Sequence, residues 1–190
     1  MIRSFLAFEL PDEIKETVFS IYRKFKRSGL DVKWVKEENI HLTVIFMGNV
    51  AEKDIEPMGK AIEKACKKYG TFRIKVKGTG VFSSLKDPRV LWIGVKGDVE
   101  RLSFFRDRLQ KELKKFGIKE ETRAFIPHIT IGRFRKGFSE KEKLKNLLTE
   151  FKEVESPEAD LKELILFKSE LRPEGARYTK LNSWPLLGKK

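Results

Sequence analysis

One short pattern occurs twice in the chain and constrains the rest: His41-Leu42-Thr43 and His128-Ile129-Thr130, each followed by a further β-branched residue, Val44 and Ile131. These are the only two histidines in 190 residues. At the frequency of Thr in this chain, both histidines meeting a Thr two places on by accident is on the order of one chance in several hundred. The flanking stretches NIHLTVIFMG and FIPHITIGRF are short, rich in β-branched and aromatic residues, and bounded by Gly, Pro or Asn, so they read as strands. On a strand, residues two apart share a face. Each stretch therefore offers one imidazole beside one hydroxyl, while Leu42 and Val44, or Ile129 and Ile131, turn to a core.

Charged residues make up 36% of the chain and hydrophobic ones 40%, the balance of a soluble globular protein with room for a real core. No run of 18 apolar residues exists, and MIRSFLAFELPDE alternates before stopping at Pro11, so neither a membrane span nor a signal peptide is expected. A single cysteine, Cys66, excludes an internal disulfide and fits a cytoplasmic protein. It falls with Ile55, Ala61, Ile62, Ala65 and Tyr69 on one helical face and reads as a core residue. Lysine and arginine exceed the acids by 13, with a pI near 9.7, which points to a polyanionic partner such as nucleic acid. A Lys/Glu-rich surface can also reflect a high growth temperature, although that does not explain the excess of positive charge.

The order of elements repeats. Strand candidates lie at 2–10, DVKWV, 40–47 and 72–83, with helices at 12–28 and about 53–69, where Pro57 is expected to limit how early a regular helix begins. The second half runs as strand 89–97, a helix over 98–116 capped by Asp98 and stopped by Gly117, and the His-Thr strand 125–134. A helix then opens at a Ser139/Glu142 capping box, and a strand covers 161–171. Gly78-Thr79-Gly80 reads as a bend. The histidines are 87 apart, the caps Asp12 and Asp98 are 86 apart, and Val81-Phe82-Ser83 resembles Leu166-Phe167-Lys168 at 85. A duplicated α+β fold is expected: two β-α-β-α-β lobes, about 1–87 and 88–172, in a single domain over 1–190, with an extra C-terminal strand at about 176–186. Their antiparallel sheets would line a central groove, one His-Thr strand from each.

Two imidazoles facing one groove can divide acid–base work at neutral pH, because free histidine titrates near 6.5. Opening a phosphodiester needs one neutral His to take a proton from water and one protonated His to deliver a proton to the departing oxygen. Threonine hydroxyls on the same faces can donate to the phosphate oxygens. Two histidines without Cys, Asp or Glu in the motif are too few for a zinc site, and no cofactor motif is visible, so neither metal nor cofactor is expected.

At these residues the chain resembles the two-histidine phosphoesterase superfamily, in its RNA 2′,3′-cyclic phosphodiesterase branch, also called 2′-5′ RNA ligase (LigT, ThpR). The resemblance rests on RSFLAFELP, HLTVIFMG, GVFSSLKDPRVLWIGV, RAFIPHITIGRF and LILFKSELRPEGARYTKLNSWPL, in that order over nearly the whole chain. It implies a LigT-like bilobal fold and metal-independent opening of RNA-terminal 2′,3′-cyclic phosphates, whether on tRNA fragments or on other cleaved ends, to the 2′-phosphomonoester. A monomer is expected. By the same analogy His41 is the proton donor and His128 the proton acceptor, although the residues themselves allow the reverse. Thr43, Thr130, Arg133 and Arg123 match phosphate-binding positions, and Phe46 matches an aromatic that would stack a terminal base. Regular alternation opposes two of these: Phe46 would face the core with Leu42 and Val44, and Arg133, five places after His128, would face away from the groove unless Gly132 marks a bulge. The competing readings are 2′-5′ ligation by the same histidines run in reverse, and a non-catalytic RNA-binding protein. A product assay separates the first, and persistence of binding in chemically inert His mutants separates the second.

Overall fold

Apolar residues at three- and four-residue spacing make Asp12–Arg27 a helix, α1, whose face Ile14, Val18, Ile21, Tyr22 and Phe25 is buried. The same patterning gives α2 (Glu52–Cys66), α3 (Val99–Leu113) and α4 (Lys141–Glu150). Between them run β1 (Ile2–Phe8), β2 (Val32–Trp34), β3 (Leu42–Val50), β4 (Phe72–Ser83), β5 (Pro88–Gly97), β6 (His128–Phe134), β7 (Ala159–Leu161), β8 (Glu163–Arg172) and β9 (Gly175–Pro185). The structure, a computed structural model, describes residues 1–189.

All these strands join one antiparallel sheet in the order β7-β4-β5-β6-β3-β1-β8-β9, with β2 on the end of β6 beyond β3. The fold is α+β. The halves of the chain are not the halves of the sheet: β4 sits with β5 and β6, and β8 sits with β1 and β3. Leu161 and Glu163 are only two residues apart yet belong to strands far apart in the path, so the sheet curls until β7 lies near β8. One face carries the main core: Leu6 and Phe8, Leu42 and Val44, Leu91 and Ile93, Ile129 and Ile131, Leu164 and Leu166, packed with the buried sides of all four helices. The opposite face of β1 and β8 holds a small cluster of Phe5, Ala7, Ile165 and Phe167 with Tyr178 against it.

Several boundaries differ from the sequence expectation for identifiable reasons. Pro57 does not limit the start of α2, which begins at Glu52; its missing N–H leaves only the first-turn carbonyl of Lys53 without a helical donor. The Ser139/Glu142 box does not form: α4 starts from Glu140, whose carboxylate instead accepts the Asp31 N–H. Asp98 does flank α3, but its carboxylate takes the Arg73 N–H and Arg101 rather than the helix's own donors. The strand expected over 161–171 is two strands that break at Lys162. That expected from 125 begins only at His128, after an irregular run through Pro127. The bend at Gly78 is a bulge between Val76 and Thr79, with Gly78 at φ +69°. Among the described residues no helix is long and apolar enough to cross a membrane.

Candidate active site

The two His-Thr strands meet at one recorded bridge, Leu42 opposite Ile129. In that register Thr130 stands across from His41 and Thr43 across from His128, so both motifs share one face about a local two-fold. β3 and β6 then diverge, and β2 takes the vacated edge of β6. The divergence opens a groove of about 670 Å³ lined by His41, Thr43, Phe46, Thr130 and Arg133; His128 shares their face of the sheet but is not among the lining residues.

Each imidazole is anchored in the same way. His41 Nδ1–H donates to the carbonyl of Asn39 (2.6 Å) and His128 Nδ1–H to that of Ile126 (2.7 Å), in both cases two residues upstream. A carbonyl only accepts, so Nδ1 carries the proton and Nε2 is the working nitrogen of both rings. Burial pushes both histidines below their ordinary 6.5, opposed in each by the carbonyl bond, and Arg133's charge lowers His128 further.

A repeated bulge decides which other side chains enter the groove. In β3, Ala7 pairs with Thr43 and Leu6 with Ile45, so Val44 is an extra residue; in β6, Trp92 pairs with Thr130 and Leu91 with Gly132, so Ile131 is extra. Both bulges reverse the alternation. The residue five places after each His is thereby returned to the His-Thr face: Phe46 after the first, Arg133 after the second. Phe46 is accordingly 54% exposed rather than buried, with the Arg3 guanidinium 4.9 Å from its ring centre, which corrects the core orientation expected from alternation. Gly132 is required at its bulge because a Cβ there would collide with Val32 and crowd Trp34.

Thr43 Oγ1 lies 2.7 Å from His41 Nε2, whereas His128 and Thr130 make no such bond. Arg123 is elsewhere. It sits in the irregular run before Pro127, 86% exposed, and spends its guanidinium on both carboxylate oxygens of Glu121. Among the described residues its contacts run to Glu121 and none reaches the His-Thr face, so the geometry gives no support to the phosphate role implied for it.

Sequence reasoning missed Tyr178, whose ring stands edge-on to His41 at 5.5 Å, with Phe5 stacked on the same imidazole at 4.9 Å. Burial raises the Tyr178 phenol above its ordinary range, keeping it a neutral hydrogen-bond donor. The signal lay in the C-terminal strand, which had no partner in the duplication and hence no assigned role. Cys66 is buried, its thiol pushed up to about 12, and is inert. Among the described residues no three His, Cys, Asp or Glu side chains are placed to hold a metal ion together.

A family model described as LigT like Phosphoesterase matches the chain twice, over residues 8–92 and 93–178. The chain is 34% identical to an RNA 2′,3′-cyclic phosphodiesterase of Methanothermobacter thermautotrophicus, over 97% of this chain and 99% of that one. It is 32% identical to a protein of the same description from Aquifex aeolicus, over 99% of each. Among solved structures, a Thermus thermophilus protein aligns with a TM-score of 0.82 over 100% of both chains, and E. coli LigT complexed with 3′-AMP with 0.75 over 97% and 98%. Both are 23% identical, a likeness of fold.

Proposed function

The chain belongs to the LigT-like phosphoesterases, and from that membership we propose that it hydrolyses the 2′,3′-cyclic phosphate at an RNA end to the 2′-phosphomonoester, without a metal. The observation that carries the reading is the matched anchoring of the two imidazoles, each with Nδ1–H on a carbonyl and Nε2 turned away from it, toward Thr43 in His41 and unbonded in His128, on strands bridged at Leu42 and Ile129. The names of the relatives supply the substrate class.

In this reading His128 Nε2 takes a proton from water as its oxygen attacks phosphorus. The P–O3′ bond breaks, and protonated His41 gives its Nε2 proton to O3′. Burial lowers both rings, and the Arg133 charge adds a smaller push in the same direction at His128 alone, which favours that ring as the neutral base. Thr43, Thr130 and the Arg133 guanidinium face the phosphate and donate to its oxygens as charge builds. With His41 neutral the Thr43 hydroxyl donates to Nε2; once Nε2 carries the proton destined for O3′, that hydroxyl hydrogen is released toward the phosphate. Phe46 offers its ring to the terminal base.

The test is an end-labelled short RNA carrying a 2′,3′-cyclic phosphate, incubated with the protein in EDTA. A 2′-phosphate end is expected. An unchanged end, a 3′-phosphate, or activity that appears only with added metal overturns the reading, and joining to an added 5′-hydroxyl RNA would replace it with ligation.

A further inference from the structure

Ion pairs cover much of this protein's surface, yet Arg3, Lys33, Lys36 and Arg133, all lining the groove, have no carboxylate within 4.0 Å among the described residues. One acid lines the same groove, Glu174, and it pairs with none of them. Two of these cations are directly opposed. In the β2–β6 ladder Lys33 is the register partner of Arg133, with Val32 across from Phe134 and Trp34 across from Gly132. Like charges facing each other across antiparallel strands repel. Just beyond the end of the ladder an ordinary opposite-charge pair forms: Asp31 reaches Arg135 at 3.4 Å. The unfavourable pair is therefore confined to the groove. It is also held in place, because Gly132 lets Val32 and Trp34 seat β2 against β6, and Trp34 packs edge-on to the buried Tyr22.

A cyclic phosphate carries a single negative charge, which Arg133 and two hydroxyls already meet. We propose that Lys33 binds a second anion, the phosphodiester linking the terminal nucleotide to its 5′ neighbour, and that the groove thereby selects oligoribonucleotide ends over cyclic mononucleotides. This rests on the reaction proposed above and names its substrate more narrowly. Lys33 stands one strand spacing, about 4.8 Å, from Arg133, so one chain can lay successive phosphates over the two cations and relieve their repulsion.

The experiment compares kcat/KM on cytidine 2′,3′-cyclic phosphate with that on CpC ending in a 2′,3′-cyclic phosphate, for the parent, Lys33→Ala and Lys33→Arg. The parent should prefer the dinucleotide by tenfold or more. Lys33→Ala should cut that ratio about tenfold, as expected for one charged contact, and Lys33→Arg should keep most of it. Equal losses on both substrates, or an unchanged ratio, overturn the proposal. Lys33→Ala should melt at or above the parent, since it removes a repulsion; a lower Tm with lost ratio assigns Lys33 to structure instead. A parent that opens neither substrate defeats the reaction, but not the reading of Lys33. Binding of fluorescein-labelled CpC with a 3′-phosphate then decides it: the salt slope should fall by about 0.7 in Lys33→Ala, and an unchanged slope and affinity overturn the second subsite.

Discussion

Around His41 the imidazole is stacked on Phe5, edged by Tyr178 and bonded through Nε2 to Thr43; around His128 there is the edge of Phe82 at 4.9 Å and the positive charge of Arg133. The frames are nonetheless the same. Each His follows the carbonyl that holds it by two residues, and each motif runs into a one-residue bulge. Phe5 packs on Phe167 at 5.2 Å as Trp92 packs on Phe82 at 5.3 Å, and these pairs recur at 87 and 85 residues. Duplication by itself supplies two equivalent imidazoles, whereas acid–base catalysis needs one protonated and one neutral. The inequality enters at two points: the residue after the bulge, aromatic in one copy and cationic in the other, and β9, which brings Tyr178 to one copy alone.

The sharpest way to break this comparison is to remove each ring in turn. His41→Ala and His128→Ala are each expected to lose on the order of 10²–10⁴-fold in kcat on a cyclic-phosphate RNA end. On a phosphodiester with a nitrophenolate leaving group, which departs without a proton, His41→Ala should recover most of its loss and His128→Ala should not. The opposite pattern exchanges the roles, and recovery by both or by neither removes the division of labour. The pH profile of kcat/KM should be bell-shaped and centred on the acid side of 6.5, because both free-enzyme rings are shifted down. The same shifts couple to stability. Folded histidines with depressed pKa contribute stability that is present above about 6.5 and lost as pH falls through the folded values, so Tm should drop on acidification across that window.

A smaller effect tests the cation of the second copy. On the proposed mechanism Arg133→Met removes a charge-assisted contact to phosphate, with an expected loss of about 10–100-fold in kcat/KM. It also removes the charge that disfavours imidazolium, so the limb belonging to His128 should move to higher pH. A rate loss without movement of that limb would leave Arg133 as a phosphate ligand and take away the reason for naming His128 the base.

How far this was legible in the sequence depends on whether the deciding contact is local. Helical faces such as Ile14, Val18, Ile21 and Phe25, and the sharing of one strand face by His and Thr, follow from periodicity within a few residues, and they stand in the structure. The face of Phe46 did not follow, because the extra residue Val44 exists only relative to the register of β1. Gly132 gave a hint for Arg133 that Val44 did not give for Phe46, since a glycine marks a close approach and a valine marks nothing. The exchange of β4 and β8 between the two halves of the sheet, and the facing of Lys33 with Arg133 through a three-residue strand, are pairings across the chain that no local window contains. Arg123 shows the converse: a motif position matched in sequence, but placed on a stretch whose irregular backbone turns it to Glu121.

The least disruptive way to sharpen the comparison is to delete one hydroxyl at a time. Thr43→Val and Thr130→Val preserve shape and β-branching, and each should cost roughly tenfold in kcat, the value of one donor to a phosphate oxygen. They should part company in combination. Thr43 shares a hydrogen bond with His41 Nε2, so its hydroxyl can donate to phosphate only when that ring is protonated. In a His41→Ala background the partner that orients Thr43 is gone, and Thr43→Val should then cost little more, a coupling of about 1 kcal/mol in a double-mutant cycle. Thr130 makes no bond to His128, so its cycle with His128 should close nearly additively. Equal coupling in the two cycles would mean that the bond seen at His41 also forms at His128 once substrate is bound, and that the two copies differ at rest but not at the moment of reaction.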